Sequence, residues 1–203
     1  MWMWNWVVLK NIFLPLCSCC HKNYVYLNAL CKDCIEFFHF DVKSRDDFWY
    51  FFEYKSEYKN LLLAYKRDGQ RLLGQFFANG ILQFLMSIDF DLVVSVPCSF
   101  KRKIFYGFDH MEYIGDLLGN SGIKYVNVFK RGLGKSQKLL RGDLRHSNLE
   151  NKVKLKLKYR NIEFKRVVLI DDIVTTGSSM TFCRDVLIKH GAWSVIKLSL
   201  ARV

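Results

Sequence analysis

The stretch Val167–Met180, VVLIDDIVTTGSSM, constrains the fold of this chain more than any other segment. Its first four residues are apolar without alternation, which is typical of a strand buried on both faces of a parallel sheet. Asp171 and Asp172 follow directly, and a loop of hydroxyl side chains around Gly177 comes next. Apolar residues then recur at helical spacing. The sequence therefore predicts a strand, an acidic tip, a glycine-containing loop and a helix.

This order of elements predicts a site for a phosphate group. Ligands of open α/β sheets bind beyond the carboxyl ends of the strands. A loop that begins a helix there offers backbone N–H groups and the positive end of the helix dipole to an anion. The side chains that add hydroxyl donors are Thr175, Thr176, Ser178 and Ser179.

The two carboxylates extend this prediction to a sugar phosphate. Asp171 and Asp172 would repel a phosphate in direct contact, but each can accept hydrogen bonds from ribose hydroxyls one sugar away. A phosphate loop beside two such acceptors predicts a 5-phosphoribosyl ligand.

The stretch resembles the phosphoribosyl-pyrophosphate (PRPP) signature of type I phosphoribosyltransferases. In that family the paired acidic residues hold the ribose 2′- and 3′-hydroxyls, and the Thr-Thr-Gly-Ser loop holds the 5′-phosphate. The resemblance implies a set of PRPP-binding residues: Asp171, Asp172, Thr175, Thr176, Gly177, Ser178 and Ser179. The alternative is that an aspartate and Thr176 merely cap the helix. A cap explains one acidic residue and one hydroxyl, but not the whole run.

A nucleotide-hydrolysing protein is a second alternative. An apolar strand followed by two aspartates also resembles a Walker B end, and Gly134-Lys135-Ser136 resembles the end of a Walker A loop. Phe129 occupies the first glycine position of that pattern, where its side chain would block the tight loop. This alternative leaves the loop 175–179 without a role, so a P-loop-type NTPase is the weaker hypothesis.

The cysteines predict a metal site near the N-terminus. Five of the seven lie between Cys17 and Cys34, where two C-x-x-C pairs are separated by ten residues. Four thiolates from two such pairs form a closed tetrahedral site that suits structural zinc. The predicted ligands are Cys17, Cys20, Cys31 and Cys34. Cys19 is out of step with this spacing, His21 is a possible substitute ligand, and free cysteines or a redox pair are the alternatives.

No basic leader precedes these cysteines, and the apolar N-terminal stretch is interrupted by Asn5, Lys10 and Asn11. It is shorter than the roughly 20 apolar residues that span a bilayer. Clustered cysteines without an export signal indicate metal binding in a reducing compartment rather than disulfides. The expectation is a cytoplasmic protein without a transmembrane segment.

The charge of the chain favours anionic partners. Its 203 residues are 51% hydrophobic, which excludes a disordered chain, and carry a formal net charge of +12. Such a field attracts phosphates, nucleic acid, acidic proteins or membrane surfaces. Lys152–Tyr159 alternates lysine with apolar residues, so one face of the predicted strand is cationic. Protection of an edge strand is the alternative to a nucleic-acid or partner surface.

The rest of the chain predicts an α/β fold with a mostly parallel, doubly wound sheet, because strands and helices alternate after residue 90. The predicted strands are 46–54, 91–97, 123–129, 167–170 and 195–200, and the predicted helices are 56–66, 71–86 and 109–118. A basic loop with Lys101 and Arg102 follows the strand at 91–97. It lies where a sheet enzyme would meet a pyrophosphate. The basic segment Lys130–Asn148 is predicted to be a loop.

Nearly the whole chain resembles the ComF family, type I phosphoribosyltransferase-like proteins associated with DNA uptake in natural transformation. The matching elements are the four cysteines after an apolar lead, Leu61–Lys66, Val96-Pro97, Gly107-Phe108, Gln137, Arg145–Asn148, the PRPP signature and Ala201-Arg202. The resemblance implies an N-terminal zinc module at 1–40 and a phosphoribosyltransferase-like domain at 41–203.

The resemblance also implies a chemistry, with one point left open. In an enzyme of this kind, Mg²⁺ and the basic loop would stabilise the pyrophosphate that leaves PRPP. Here Tyr106 replaces a basic residue before Gly-Phe, and Asp109-His110 replaces Asn-Gln after it. These changes weaken the pyrophosphate side, so catalysis is left open and no acceptor is indicated. The alternative is a non-catalytic adaptor that binds single-stranded DNA, a DNA-uptake helicase or another competence protein.

Overall fold

The coordinates are a computed structural model, and the structure describes residues 15–67, 71–98, 104–105, 107–131, 153–156 and 166–203. Its helices are α1 (Lys32–Phe37), α2 (Ser56–Arg67), α3 (Leu72–Leu85), α4 (His110–Asn120) and α5 (Ser178–Lys189). Its strands are β1 (Lys43–Arg45), β2 (Phe48–Glu53), β3 (Leu92–Ser95), β4 (Phe129–Arg131), β5 (Val153–Leu155), β6 (Arg166–Val174) and β7 (Ser194–Arg202). The three predicted helices are confirmed to within two residues at each end.

Five strands form one sheet in the order β1-β2-β7-β6-β3, and every neighbouring pair except β1–β2 is parallel. The predicted α/β architecture with a mostly parallel sheet is therefore confirmed. Helix α5 connects β6 to β7, which lie side by side in parallel, so the connection has to cross a face of the sheet. The start of α5 consequently lies at the carboxyl edge of the sheet.

Strand β6 extends further than predicted. The sequence predicts that the strand ends at Ile170, but the ladder with β7 continues to the pair of Val174 and Arg202. Asp171 and Asp172 are thus strand residues rather than a tip beyond the strand. Successive side chains of a strand point to opposite faces, so the two carboxylates enter different surroundings.

The strand predicted at 123–129 is wrong over most of its length. Only Tyr125 forms a bridge there, parallel to Val93 at the edge of the sheet. A hydrogen bond from the Val128 N–H to the Val126 carbonyl then turns the chain away. The strand β4 begins at Phe129 and pairs antiparallel with β5 in a separate two-stranded sheet. Lys130 and Arg131, the first residues of the loop predicted at Lys130–Asn148, are therefore strand residues.

Hydrophobic clusters cover both faces of the large sheet. Val168 and Ile170 of β6 belong to a cluster that includes α2, α3 and α4, whereas Val167 and Leu169 belong to one that includes α5 and β5. These four side chains are at most 1% exposed, which confirms a strand buried on both faces. Each such side chain contributes about 1.5–3 kcal/mol relative to an exposed one.

The cysteine segment packs into the first of these clusters. Cys17, Leu30 and Cys31 are at most 2% exposed and share that cluster with α2, α3 and α4. The division of the chain at residue 40 stays a prediction. Among the described helices, none is both long and apolar enough to cross a membrane.

Several predicted elements fall outside the described residues. They are the basic loop with Lys101 and Arg102, the departure at Tyr106, the Walker-like Lys135-Ser136, and the family elements Gln137 and Arg145–Asn148.

Candidate functional site

The loop between β6 and α5 is shaped around Gly177. This residue is the N-cap of α5 and has a φ angle of +74°, a left-handed conformation that glycine adopts without strain. A Cβ atom at this position would lie 2.4 Å from Cζ of Phe48. Glycine is therefore required both by the backbone conformation and by the ring of Phe48 beside it.

No side chain caps α5 in the way the helix-cap alternative requires, because the N-cap is glycine. Oγ1 of Thr176 lies 3.5 Å from the backbone nitrogen of Ser178, which is long for a hydrogen bond. The Thr176 and Ser178 hydroxyls contact each other at 2.9 Å. The start of α5 thus combines N–H groups, the positive end of the helix dipole and hydroxyl donors.

A cavity of about 340 Å³ lies against this loop. All seven residues predicted from the PRPP signature line it. The structure therefore brings the two carboxylates and the hydroxyl loop together around one space. Lys66, His110, Tyr54 and Leu63 also line the cavity, and none of these four was predicted as a site residue.

Asp172 is buried and holds two partners. It is 5% exposed, and its Oδ2 atom contacts Nζ of Lys66 and Nε2 of His110, which are themselves 8% and 3% exposed. Burial alone would raise the pKa of Asp172, but the hydrogen bond from His110 and the charge of Lys66 outweigh it and hold the pKa below its ordinary value. Asp172 is therefore an anchored carboxylate.

Asp171 has a different environment, although it is the next residue. It is half-buried, and its Oδ1 atom accepts a hydrogen bond of 2.8 Å from the Asp172 N–H. Both side chains line the cavity, but strand alternation directs them to different faces of β6. The two acidic residues of the motif thus offer unequal chemistry, which their adjacency in the sequence does not indicate.

The four predicted cysteine ligands form one cluster. The Sγ atoms of Cys17, Cys20, Cys31 and Cys34 all lie within 4.8 Å of one another. The distance from Cys20 Sγ to Cys31 Sγ is 3.8 Å. Tetrahedral zinc with Zn–S bonds of about 2.3 Å places sulfurs roughly 3.8 Å apart, so the residues fit this metal.

The thiols of the cluster differ in their surroundings, and these change their pKa values in opposite directions. Backbone N–H groups of Asn23 and Lys22 lower the pKa of Cys20 to about 6, whereas burial raises the pKa of Cys34. His21 is exposed and is not part of the four-sulfur group. Cys19 donates its backbone N–H toward Cys17 Sγ at 3.5 Å.

No family model matches the chain. Competence protein ComFC of Streptococcus pneumoniae (strain ATCC BAA-255 / R6) is 27% identical to it over 151 residues. The chain is similar to this competence protein. The match spans 74% of this chain and 66% of that relative, slightly less than two thirds of its length.

Solved structures similar to this chain include adenine phosphoribosyltransferases. The enzyme from Saccharomyces cerevisiae, complexed with an imino-altritol bisphosphate and adenine, is 15% identical, with 70% of this chain and 73% of that chain covered and a TM-score of 0.42. The enzyme from Thermoanaerobacter pseudethanolicus is 13% identical, with 85% and 100% covered and a TM-score of 0.44. These similarities are too distant to indicate a ligand or a reaction.

The cationic strand predicted at Lys152–Tyr159 is only partly exposed among the described residues. Lys154 of β5 is exposed and lies opposite the exposed Lys130 of β4. Lys156, however, is half-buried and donates a 2.7 Å hydrogen bond to the Asn127 carbonyl. The remaining lysines of the predicted face, Lys152 and Lys158, lie outside the described residues.

Two residues of the site, Lys66 and His110, belong to sequence features that do not by themselves predict a role in the site. Lys66 ends the family element Leu61–Lys66, and His110 is a departure from the family pattern. Lys66 comes from α2 and His110 from α4, and both reach Asp172 of β6 only in the folded chain. Spacing within one segment cannot reveal a contact between three segments.

Proposed function

We propose that this ComF-like protein binds a 5-phosphoribosyl ligand, either PRPP or a nucleotide, in the cavity at the start of α5. The observation that carries the proposal is the loop around Gly177, where a helix without a side-chain cap begins at the carboxyl edge of a parallel sheet. Such a helix start binds phosphate through its N–H groups and dipole. We further propose that the protein acts in the cytoplasm and takes part in DNA uptake.

In this proposal the ligand's groups are matched to the residues by their chemistry. The 5′-phosphate binds at the hydroxyl-rich loop 175–179, next to the N–H groups of α5. Asp171, which is half-buried on the cavity wall, accepts hydrogen bonds from the ribose hydroxyls. Asp172 holds Lys66 and His110, so its part in ribose binding is secondary to that of Asp171.

A transferase activity remains a narrower proposal within this one. Mg²⁺ prefers oxygen ligands and binds with substrate phosphates, so a ligand such as PRPP would bring it beside the Asp171 carboxylate. When bound, the ion would neutralise charge on the pyrophosphate. The residues of this chain bind the ribose phosphate and exclude water on the inner wall, where Lys66 and His110 are buried.

The cysteine cluster supports a second part of the proposal, one structural zinc ion per chain. Four sulfurs at this separation leave no coordination position for a substrate, because tetrahedral zinc takes four ligands. The cluster therefore stabilises the fold rather than taking part in chemistry at the cavity.

Single-stranded DNA is a second candidate ligand, supported by the two-stranded sheet. Like charges directly opposite each other on paired strands are destabilising, yet Lys130 and Lys154 occupy such positions and are exposed. A bound anion would relieve this repulsion. A protein partner with an acidic surface remains the alternative occupant of the same lysines.

The experiment that tests PRPP binding compares Asp171→Asn with the unmodified protein by calorimetry with PRPP and Mg²⁺. The variant keeps the shape of the side chain but loses its charge, so binding should weaken by about 1–3 kcal/mol, the loss expected for a hydrogen bond to a charged group. Asp185→Asn, an exposed position on α5, is the matched control. Equal affinities in all three proteins would contradict the role of Asp171.

A further inference from the structure

A second group of metal-binding side chains lies beside the cavity, apart from the four cysteines. Ligand atoms of Cys98, Asp109 and His110 all lie within 4.8 Å of one another. Cys98 follows β3, whereas Asp109 and His110 begin α4, so two separate segments converge on this point. Of these three residues, only His110 also lines the cavity of the proposed PRPP site, where it contacts Asp172, and none is a ligand of the proposed four-cysteine zinc site.

The orientation of His110 points to a ligand. Its Nε2 atom contacts the Asp172 carboxylate, and its Nδ1 atom is buried without a hydrogen-bond partner among the described residues. A carboxylate partner fixes the proton on Nε2, which leaves a lone pair on Nδ1. A buried polar atom without a partner is unfavourable, so an unused lone pair at this position requires an explanation.

Metal-binding histidines explain this arrangement. A histidine that ligates a metal with one nitrogen almost always donates the other N–H to a carboxylate or carbonyl, which fixes the ring and raises its basicity. Asp172 and His110 form that pair, with Nδ1 as the remaining ligand atom. Cys98 and Asp109 supply a sulfur and an oxygen close by.

Asp109 can serve this site without giving up its place in the fold. It is the N-cap of α4, and its Oδ1 atom accepts a 3.1 Å hydrogen bond from the Glu112 N–H. A carboxylate has two oxygens and about four acceptor positions, so a cap and a metal bond are compatible. Cys98 is half-buried and takes part in no disulfide.

We propose that Cys98, Asp109 and His110 bind a divalent metal ion of the zinc class. One thiolate, one imidazole and one carboxylate are a ligand set that zinc accepts, whereas Mg²⁺ and Ca²⁺ prefer oxygen alone. Three protein ligands leave one position open, which is the arrangement of reactive rather than purely structural zinc sites. The proposal concerns the metal alone and does not rest on PRPP binding.

A small cavity of about 50 Å³ lies beside two of these residues. This cavity is lined by Cys98 and His110, and also by Asp171, Asp172 and Ser179, which line the larger cavity as well. A bound ion would place two positive charges beside His110, which lines both cavities. Water or an oxygen of an anionic ligand would complete its coordination.

The test is the zinc content of the full-length protein after saturation with Zn²⁺ and removal of unbound metal. Cys98→Ser and Asp109→Asn should each lose about one zinc per chain relative to the unmodified protein. Asparagine is as good an N-cap as aspartate, so Asp109→Asn should keep α4. Asp116→Asn, an exposed position on the same helix, is the matched control and should keep the full content.

Cobalt gives a second readout that a merely structural role would not change. Replacement of zinc by Co²⁺ reports thiolate ligation as charge-transfer absorbance, and Cys98→Ser should lose only the part that one thiolate contributes. Unchanged zinc and cobalt signals in both ligand variants would overturn the proposal. An equal loss in Asp116→Asn would overturn it too, because that ion would then be bound to general surface charge.

Discussion

The four-cysteine cluster and the cavity at the start of α5 are two polar sites on one folded core, and they are built in opposite ways. The cluster takes four like ligands from two short pairs within residues 17–34. The cavity takes unlike groups from α2, α4, β6 and α5. The first site consists of four thiols close enough to share one ion, whereas the second is an open cavity with the buried Lys66 and Asp172 on its wall.

This difference indicates where a substitution should act. Loss of a ligand in a closed metal site should release the ion and so remove the cross-link that holds the surrounding segment folded. In the open site we expect two kinds of effect. Loss of a buried anchoring residue such as Lys66 should lower stability, whereas loss of a more exposed residue such as Asp171 should weaken binding. Substitutions at both sites, and at a surface apart from them, can test that division.

The largest effect is expected from Cys31→Ser/Cys34→Ser. Structural zinc contributes about 10–16 kcal/mol of apparent binding energy in small zinc folds, so losing two ligands should release the metal and unfold the N-terminal segment. Because Cys31 shares a hydrophobic cluster with α2 and α3, the thermal stability of the whole chain should fall as well. Metal analysis and thermal unfolding are the measurements.

The matched control for this change is Cys19→Ser, since Cys19 lies among the ligands but outside the four-sulfur group. It should keep its zinc. Full zinc content in the double variant would contradict the cluster as the metal site.

The next effect is expected from Lys66→Met, which leaves the buried Asp172 with one partner fewer. Breaking a buried ion pair by removing one member costs about 3–5 kcal/mol when the remaining charge has no other partner. Because His110 still contacts Asp172, a loss toward the lower end of this range is expected. Denaturant unfolding should show this loss, and Lys59→Met on the exposed side of α2 should not. The double variant Lys66→Met/Asp172→Asn should recover part of the loss; no recovery would mean that the lysine stabilises the fold by packing alone.

Much of this fold could be predicted from the sequence, because its strongest signals are local. The apolar run Val167–Ile170 predicts its own burial, and the two C-x-x-C pairs predict their own cluster. Each prediction needs only spacing within one segment. The strand predicted at 123–129 was wrong because an edge segment makes too few ladder bonds for its apolar residues to decide its conformation.

The interior of the cavity could not be predicted in this way. The sequence presents Asp171 and Asp172 as an equal pair, but β6 continues through both and turns them to opposite faces. Asp172 then meets Lys66 and His110 from distant helices. A near-isosteric Asp172→Asn change therefore disturbs a buried charge network, which no property of the motif itself indicates.

The third prediction concerns Gly177→Val, which acts on the open site through its backbone. A side chain in the left-handed conformation costs about 1–2 kcal/mol, and the clash with Phe48 adds roughly 1–3 kcal/mol. PRPP binding should be lost in calorimetry, because the loop has to move away from the ring. Gly119→Ala is the control, since a Cβ atom there meets nothing within 4 Å. Unchanged PRPP affinity in Gly177→Val would contradict the loop as the phosphate site.

The smallest effect is expected from the lysine pair on the two-stranded sheet, which lies apart from both sites. If Lys130 and Lys154 contact single-stranded DNA, the logarithm of the binding constant should fall with the logarithm of salt concentration by about 0.7 for each phosphate neutralised. Lys130→Gln/Lys154→Gln should make that slope shallower by about 0.7 for each phosphate that the variant no longer neutralises. Fluorescence anisotropy with a labelled oligonucleotide across a salt series measures the slope.

The control for this change is Lys55→Gln/Lys59→Gln, which removes the same charge from exposed positions beside and on α2. Net charge alone would lower the slope equally in both double variants, whereas a DNA contact at the two-stranded sheet would lower it only in the first. Because Lys130 and Lys154 repel each other across the strands, their replacement should also leave stability unchanged or raise it slightly. Equal slopes in all three proteins would exclude this lysine pair as the DNA contact and favour a protein partner for the same surface.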